Sequence, residues 1–371
     1  MNILEEYFLS LVQCAGTLYF VVGIILAFLK VPRMEVFRPY FVSKNLLSAC
    51  FFVVGTNLWA FLFVFGGDWH KYNPTVICLD LILFYLAGIL FSNVFCNLLD
   101  KHYITRRRVT VASVKWLLTT ACAVLSLFDF VPALGKKCLL IFACLMFLQF
   151  VFHFLLFFFK RFRKVRKALD NYYTESQLET INWSYRCIFL IIAAGFLSVA
   201  TMVQGVVFNW LFQGFMLSTC IYITVSFINF KDHYIDILRV EEEITDDDVE
   251  EQKTENIEEK FNTLDILMNK WVNEQKYKQN QFTIEDVAKE VGTNKSYLSA
   301  YINQKFDMSF SSWITSLRIK EAKDMFRKDP NTKVETVAFD VGFSSSSYFS
   351  KAFSKQEGIS PVQWKKDINR I

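Results

Sequence analysis

Two ionisable side chains sit in apolar surroundings, where a charge is costly enough to carry meaning. Asp80 interrupts Val76-Ile-Cys-Leu and Leu81-Ile-Leu-Phe, and His153 stands among Phe150, Phe152, Phe154 and Leu155. Burying a charge there costs several kcal/mol unless it is partnered, so ionisable groups in such stretches are candidates to hold a ligand or an ion. Asp80 and His153 are therefore the signal-sensing candidates; the plainer role for each is a paired or interfacial group. Asn57, Asn93, Gln149 and Gln213 are expected to hydrogen-bond between helices. Lys115 is expected to snorkel towards headgroups.

Other reactive residue types lack the spacing that chemistry needs. All nine cysteines lie in the first 220 residues, in apolar stretches and without a CxxC pair. They point to packing residues, not to a disulfide framework or a metal site. There is no phosphate-binding glycine loop, HExxH or GxSxG pattern, and Gly66-Gly67-Asp68 has no catalytic context. The chain is expected to be no enzyme, with no catalytic residue, metal or cofactor.

The elements that carry Asp80 and His153 follow from length and hydropathy. A helix needs about 20 apolar residues to cross a bilayer, and seven stretches qualify: 8–29, 46–65, 76–97, 109–128, 138–159, 185–205 and 208–230. The last two are divided at Gln204, Gly205 and Asn209. Residues 1–240 carry a net +9, residues 241–256 a net −8 and residues 257–371 a net +3, so three regions are expected. Three alternate loops hold 14 Lys and Arg, and the others hold only Lys71, Lys136 and Lys137. The positive-inside rule then predicts an external N-terminus and a cytoplasmic C-terminus in the cell's inner membrane. The acidic start (Glu5, Glu6) and the lack of a small-residue cleavage site after Leu29 argue against a cleavable signal peptide. Outer loops this short leave no room for an external sensor domain. Residues 241–260 read as a solvated acidic linker, with an r.m.s. reach of roughly 25 Å. Its acids could also compete with a nucleic acid for basic surface.

The last part of the chain contains one pattern twice. Glu285, Val287, Ala288, Val291 and Gly292 recur fifty residues later as Glu335, Val337, Ala338, Val341 and Gly342. Beyond the glycines, Ser296, Tyr297, Ser299 and Ser309 pair with Ser347, Tyr348, Ser350 and Ser360, so the second turn holds one extra residue. Each copy supplies what two helices crossing at a tight turn require: a small residue at the crossing, a glycine for the turn, then apolar anchors. The anchors are Leu298 and Ile302 in the first copy, and Phe349 and Phe353 in the second. Thr283 with Asp286 predicts an acidic capping box. Leu264, Leu267, Met268, Trp271 and Val272 form the stripe of a leading helix. Phe310, Trp313, Ile314, Leu317, Ala322 and Met325 form that of a long connecting helix, stopped at Asp329-Pro330. A rigid connector suits two readers in adjacent major grooves about 34 Å apart.

Gly342-Phe-Ser-Ser-Ser-Ser-Tyr-Phe-Ser-Lys-Ala-Phe-Ser-Lys-Gln-Glu-Gly-Ile-Ser-Pro361 resembles the signature of AraC/XylS-type transcriptional regulators. Leu317-Arg318-Ile319 with Ala322 is similar to that family's central helix, and the likeness covers about residues 262–370. It implies two helix-turn-helix units binding promoter DNA, near 283–306 and 333–357, on a domain spanning 261–371. A membrane domain (1–240) replaces the family's usual soluble effector domain, so no sugar-like effector is inferred. Carried over by position, the first reader's contacts would be Lys295, Ser296, Ser299 and Ala300, with Asn294, Tyr297 and Asn303 beside them. The second reader's would be Ser345, Ser346, Ser347 and Lys351, with Tyr348 at the edge. Serine is an ambiguous base reader, so modest specificity and reliance on phosphate contacts from Lys295, Lys305, Lys351 and Lys355 are expected.

The fold expected is all-α: a seven-helix transmembrane bundle, then a cytoplasmic all-α domain with two helix-turn-helix subdomains joined by a long helix. The function expected is a membrane-tethered, sequence-specific transcription regulator that couples a membrane or external signal to promoter binding. Its partners would be double-stranded DNA, the lipid bilayer, an unidentified membrane ligand or partner protein, and a second copy in a homodimer. Two alternatives remain: a receptor that releases a soluble factor by proteolysis, and a transporter or channel with a regulatory helix-turn-helix appendage.

Overall fold

The computed structural model describes residues 3–32, 34–65, 74–174, 179–201, 206–239 and 257–368. These are helical with short connections and contain no strand; one isolated antiparallel bridge joins Tyr173 to Thr283. Two units are present: Met1–Arg163 with Asn182–Leu238, and Lys164–Ile181 with Arg239–Ile371.

The first unit is built on α1 (Ile3–Phe28), α2 (Arg38–Phe65), α3 (Pro74–Leu99), α4 (Arg106–Leu125), most of α5 (Ala133–Tyr172), α6 (Glu179–Thr201) and α7 (Val206–Phe230). Among the described residues, seven helices are long and apolar enough to cross a membrane, as the hydropathy pattern predicts. Their outward faces carry large apolar side chains: Phe28 is 81% exposed, Phe63 78% and Phe196 77%. Lipid suits such surfaces, since each helix satisfies its own backbone hydrogen bonds. Close crossings rely on missing side chains. A Cβ on Gly55 would lie 3.1 Å from the Gly16 carbonyl oxygen, and one on Gly23 would lie 3.3 Å from that of Ser48. Such contacts are how helices pack where no water drives them together. The Ser48 hydroxyl donates to the Gly23 carbonyl at 2.7 Å, Tyr40 to the Phe227 carbonyl at 2.8 Å, and Asn97 to the Pro39 carbonyl at 2.8 Å.

Three features depart from the sequence reading. α2 begins at Arg38, eight residues before the expected span, so Lys44 is a buried helical residue and not a loop cation. Its ammonium donates to the Ala27 and Leu29 carbonyls at 2.8 and 3.2 Å, capping the end of α1 where carbonyls lack helical partners. α4 stops at Leu125, where Ser126 forms the C-cap. α5 runs on past residue 159 through the basic run to Tyr172, because Lys and Arg sustain a helix as well as apolar residues do. The division at Gln204 and Gly205, the Gly66-Gly67-Asp68 loop and linker residues 241–256 lie outside the described residues.

The second unit contains the end of α5 and seven further helices: α8 (Ile257–Asn273), α9 (Ile284–Glu290), α10 (Lys295–Phe306), α11 (Phe310–Lys328), α12 (Val334–Asp340), α13 (Ser346–Glu357) and α14 (Pro361–Ile368). Leu264, Met268 and Trp271 of α8 are buried with Val287, Ala288, Leu298, Ile302, Phe310, Trp313 and Ile314. Leu267, expected on the same stripe, is 38% exposed. Ile319, Ala322, Phe326, Val337, Ala338, Val341, Phe343, Phe349 and Phe353 form a second core. α11 thus supplies one end to each core.

Candidate nucleic-acid interface

Local chemistry sets both helix pairs. Thr283 caps α9: its hydroxyl oxygen accepts from the Asp286 amide at 3.3 Å, and the Asp286 carboxylate accepts from the Thr283 amide at 2.8 Å. This is the predicted capping box. α12 starts at Lys333 with no side-chain cap. Both pairs then turn at glycines with positive φ, +72° at Gly292 and +98° at Gly342. The amide two residues after Val291 and Val341 returns to the crossing alanine, Thr293 to Ala288 at 2.8 Å and Phe343 to Ala338 at 2.9 Å. Asn294 caps α10 two residues after its glycine, and Ser345 caps α13 three residues after its own, so the extra residue lies in the second turn. The repeat extends to the following helices: Ser309 caps α11 and Ser360 caps the start of α14 through the Gln363 amide.

The positions carried over by resemblance fall at the starts and outer sides of α10 and α13. Asn294 accepts from the Tyr297 amide at 2.7 Å, and Ser345 accepts from the Tyr348 amide at 3.2 Å. Both oxygens are thus committed to helix starts. Lys295, Ser296, Tyr297 and Ser299 are half-buried, whereas Ala300 and Asn303 are exposed. Asn303 donates to the Ser299 hydroxyl at 3.3 Å. On α13, Ser346 is half-buried and Ser347 and Lys351 are exposed, while Tyr348 leans on Phe343 with ring centroids 5.8 Å apart. Each helix therefore presents a short polar ridge with a lysine, of a size that enters a major groove. Lys355 is exposed, but Lys305 is not a free cation, because it pairs with Asp265.

Sequence reasoning missed the residue that braces the two pairs. Arg318 of α11 is fully buried; its Nε donates to the Tyr277 carbonyl and its Nη2 to the Gln279 carbonyl, each at 2.7 Å. Its guanidinium lies 5.8 Å from the Phe282 ring centre and 5.5 Å from that of Phe343. Tyr277 lies within a 3-10 turn of the first subdomain, Lys276–Lys278, and Gln279 closes that turn, while Phe343 belongs to the second. The turn also touches Gly342, whose added Cβ would lie 2.5 Å from the Lys278 carbonyl oxygen. Lys278 is paired with Glu321 of α11 at 2.8 Å. The only sequence signal was an arginine on the apolar side of an amphipathic helix. The edge of α9 is held by charge: the Lys276 ammonium, with a bond from the Trp271 indole, keeps the Glu290 carboxyl below the usual carboxylate range.

In the first unit, Asp80 is half-buried on α3 and accepts a hydrogen bond from Asn57 of α2 at 2.8 Å. Asn57 therefore bonds between helices, as expected. Gln149 does so too, accepting from Lys115 at 3.2 Å, so the Lys115 ammonium has a partner on α5. Asn93 instead bonds back to the Ile89 carbonyl of its own helix. His153 lies on an exposed face of α5, apart from this pair in sequence and helix. Among the described residues, no cluster of three or more His, Cys, Asp or Glu side chains could hold a metal ion.

A family model described as a helix-turn-helix domain matches residues 287–367. The chain is 32% identical over 84 residues to the melibiose operon regulatory protein of Escherichia coli, covering 23% of this chain and 28% of that protein. It is 31% identical over 85 residues to the Msm operon regulatory protein of Streptococcus mutans, covering 23% and 30%. It is 34% identical over 84 residues to the arabinose operon regulatory protein of Salmonella typhimurium, covering 23% and 30%. The chain thus spans less than a third of the length of each of these relatives. No solved structure matches it.

Proposed function

We propose, from the premise that the C-terminal segment is an AraC-type helix-turn-helix domain, that this chain is a membrane-tethered regulator of transcription. Residues 1–240 form the membrane domain, 241–260 the linker and 261–371 the DNA-binding domain, which faces the cytoplasm. The observation that carries this reading is the pairing of two helix-turn-helix units, braced through Arg318, with seven helices among the described residues fit to cross a bilayer. α11, at 19 residues, is roughly 28 Å long. That length supports two readers on one face of the duplex, in successive major grooves.

In this reading, Ser299, Ala300 and Asn303 with Lys295 meet one groove segment, and Ser346, Ser347 and Lys351 meet the next. Asn294 and Ser345 order the helix starts that approach the phosphates. Relatives named as operon regulators support transcription control as the outcome. The charge bias of the loops supports the orientation. Asp80, held by Asn57 between α2 and α3, is the membrane residue proposed to respond to a signal; His153 is the second candidate. The test is a chromosomal footprint of the full chain in living cells. Two protected major-groove segments one helical turn apart are expected, and protection of a single segment would mean that only one unit reads DNA.

A further inference from the structure

α5 contains 40 residues and is roughly 60 Å long, about twice the hydrocarbon thickness of a bilayer. It passes from the first unit into the second without a break in its helix. Through the basic run and beyond it, its buried positions Val165, Leu169 and Tyr172 keep helical spacing to the last turn. The last residues of this helix and the two after it meet the first reader, and all these contacts lie within the second unit. The Tyr172 hydroxyl donates to the Glu285 carboxylate at 3.2 Å, and the Ser309 hydroxyl donates to the Asp170 carboxylate at 2.5 Å. The Ser311 hydroxyl donates to the Thr174 carbonyl at 3.4 Å, and Tyr173 forms the antiparallel bridge with Thr283. Thr174 and Ser311 are buried.

These contacts have a common address. Thr283 and Glu285 begin α9, and Ser309 and Ser311 begin α11, so the segment Asp170–Thr174 holds the starts of two of the first reader's helices. Thr283 and Ser309 are also the capping residues of those helices. The contacts named here include none from α12, α13 or α14. We infer that the starts of α9 and α11 form a docking surface for the cytoplasmic end of the span-five helix, giving the first reader an attachment to the membrane domain besides the acidic linker. This rests on the proposed regulator function and adds a route for its signal. Movement of span five reaches the first reader through packed helix and hydrogen bonds, whereas movement of span seven must pass through the acidic linker. A two-state element biased by both sites is what coupling requires, and the dock supplies a contact that can be made or broken. Because Glu285 and Asp170 accept from uncharged hydroxyls, the dock does not depend on ion pairs between exposed charges.

The test uses the full chain in native membranes, with a protease site inserted in the linker and a photoreactive benzophenone residue replacing Tyr172. A second version replaces Tyr173, whose bridge is made by backbone atoms. After irradiation and cleavage, the C-terminal fragment should stay covalently joined to the membrane half from either position and not from the exposed Arg166. Separate fragments from both positions, or equal joining from Arg166, would overturn the dock. In the intact chain, Asp170→Ala with Tyr172→Phe should abolish joining from position 173. It should also shift transcription from the footprinted promoter at unchanged protein level and unchanged footprint; unaltered transcription would overturn signal delivery by this route. The photochemical result needs no DNA, so a chain that fails to bind DNA yet cross-links would refute the regulator reading and leave the dock standing.

Discussion

Gly292 and Gly342 occupy the same place in the two repeats, yet their replacement by alanine should have unequal consequences. Both have positive φ, so alanine at either forces a left-handed conformation costing about 1 kcal/mol relative to glycine. At Gly292 nothing lies within 4 Å of an added Cβ, and the cost ends there. At Gly342 the Cβ would meet the Lys278 carbonyl oxygen at 2.5 Å, its carbon at 2.8 Å and its Cα at 3.0 Å. All three are backbone atoms of a turn that buried Arg318 holds through the Tyr277 and Gln279 carbonyls. Moving that turn strains the arginine's hydrogen bonds, adding about 2 kcal/mol or more, as overpacking in a rigid core does. Native-state hydrogen exchange of the detergent-solubilised chain can separate the sites, reading α10 for Gly292→Ala and α12 with α13 for Gly342→Ala. Protection should fall about five-fold in the first case and more than a hundred-fold in the second, at 1.4 kcal/mol per ten-fold change. Equal losses at both glycines would refute the argument that packing against Lys278, and not backbone conformation, distinguishes the two turns.

Lys351→Ala should weaken duplex binding by about 1–3 kcal/mol if this lysine reads a base, with the loss confined to one footprint segment; uniform weakening of both would reassign it to general phosphate attraction. A reporter fused within Asp129 to Lys137 should report from outside the cell and one fused after Lys231 from the cytoplasm; both on one side would exclude a seven-span arrangement. Asp80→Asn should preserve insertion and DNA binding but fix target-gene expression in one state, and normal induction at normal protein level would remove Asp80 from signalling. Glu290, held below the usual carboxylate range by Lys276, contributes stability that is complete above the ordinary pKa and is lost as pH falls through the lowered folded one. Urea midpoints of wild type and Glu290→Gln should therefore differ at pH 7 and converge only once the pH has fallen below the lowered folded pKa, where the carboxyl is protonated in the folded and the unfolded chain alike; a constant gap would assign the effect to packing.

The repeat was legible because its determinants are local. A threonine three residues before an aspartate, an alanine at a crossing and a glycine at a turn act within one or two helical turns, and the capping box and both positive-φ glycines stand where those signals put them. The long apolar helices were legible for a similar reason, since length and hydropathy suffice to mark a helix fit to cross a membrane. The reach of α5 was not, because the basic run ends the apolar pattern while leaving helix propensity intact. Asn294 and Ser345 show a different limit. By position Ser345 reads as base-facing and Asn294 as a neighbour of the first reader's contacts, and the side-chain oxygen of each also closes a helix start, a role their residue types favour. Arg318 was legible only as part of the central-helix likeness, and its bracing role was not: arginine is seldom fully buried, and its partners lie about 40 residues away in sequence. The Asn57–Asp80 pair was half-legible, each residue being flagged but the match between them requiring the fold.

The brace through Arg318 has a meaning for the promoter. One base pair inserted between two contacted segments displaces the second by about 3.4 Å and turns it about a tenth of a revolution around the duplex. A pair of units joined by a flexible loop could follow such a shift; a pair fastened through a buried guanidinium and a backbone contact at Gly342 cannot. Spacing therefore becomes part of the message. With serines at the proposed reading positions, a promoter would be singled out as much by the interval between its two words as by their spelling. A genome could create or erase a target by a one-base insertion that leaves every contacted base unchanged.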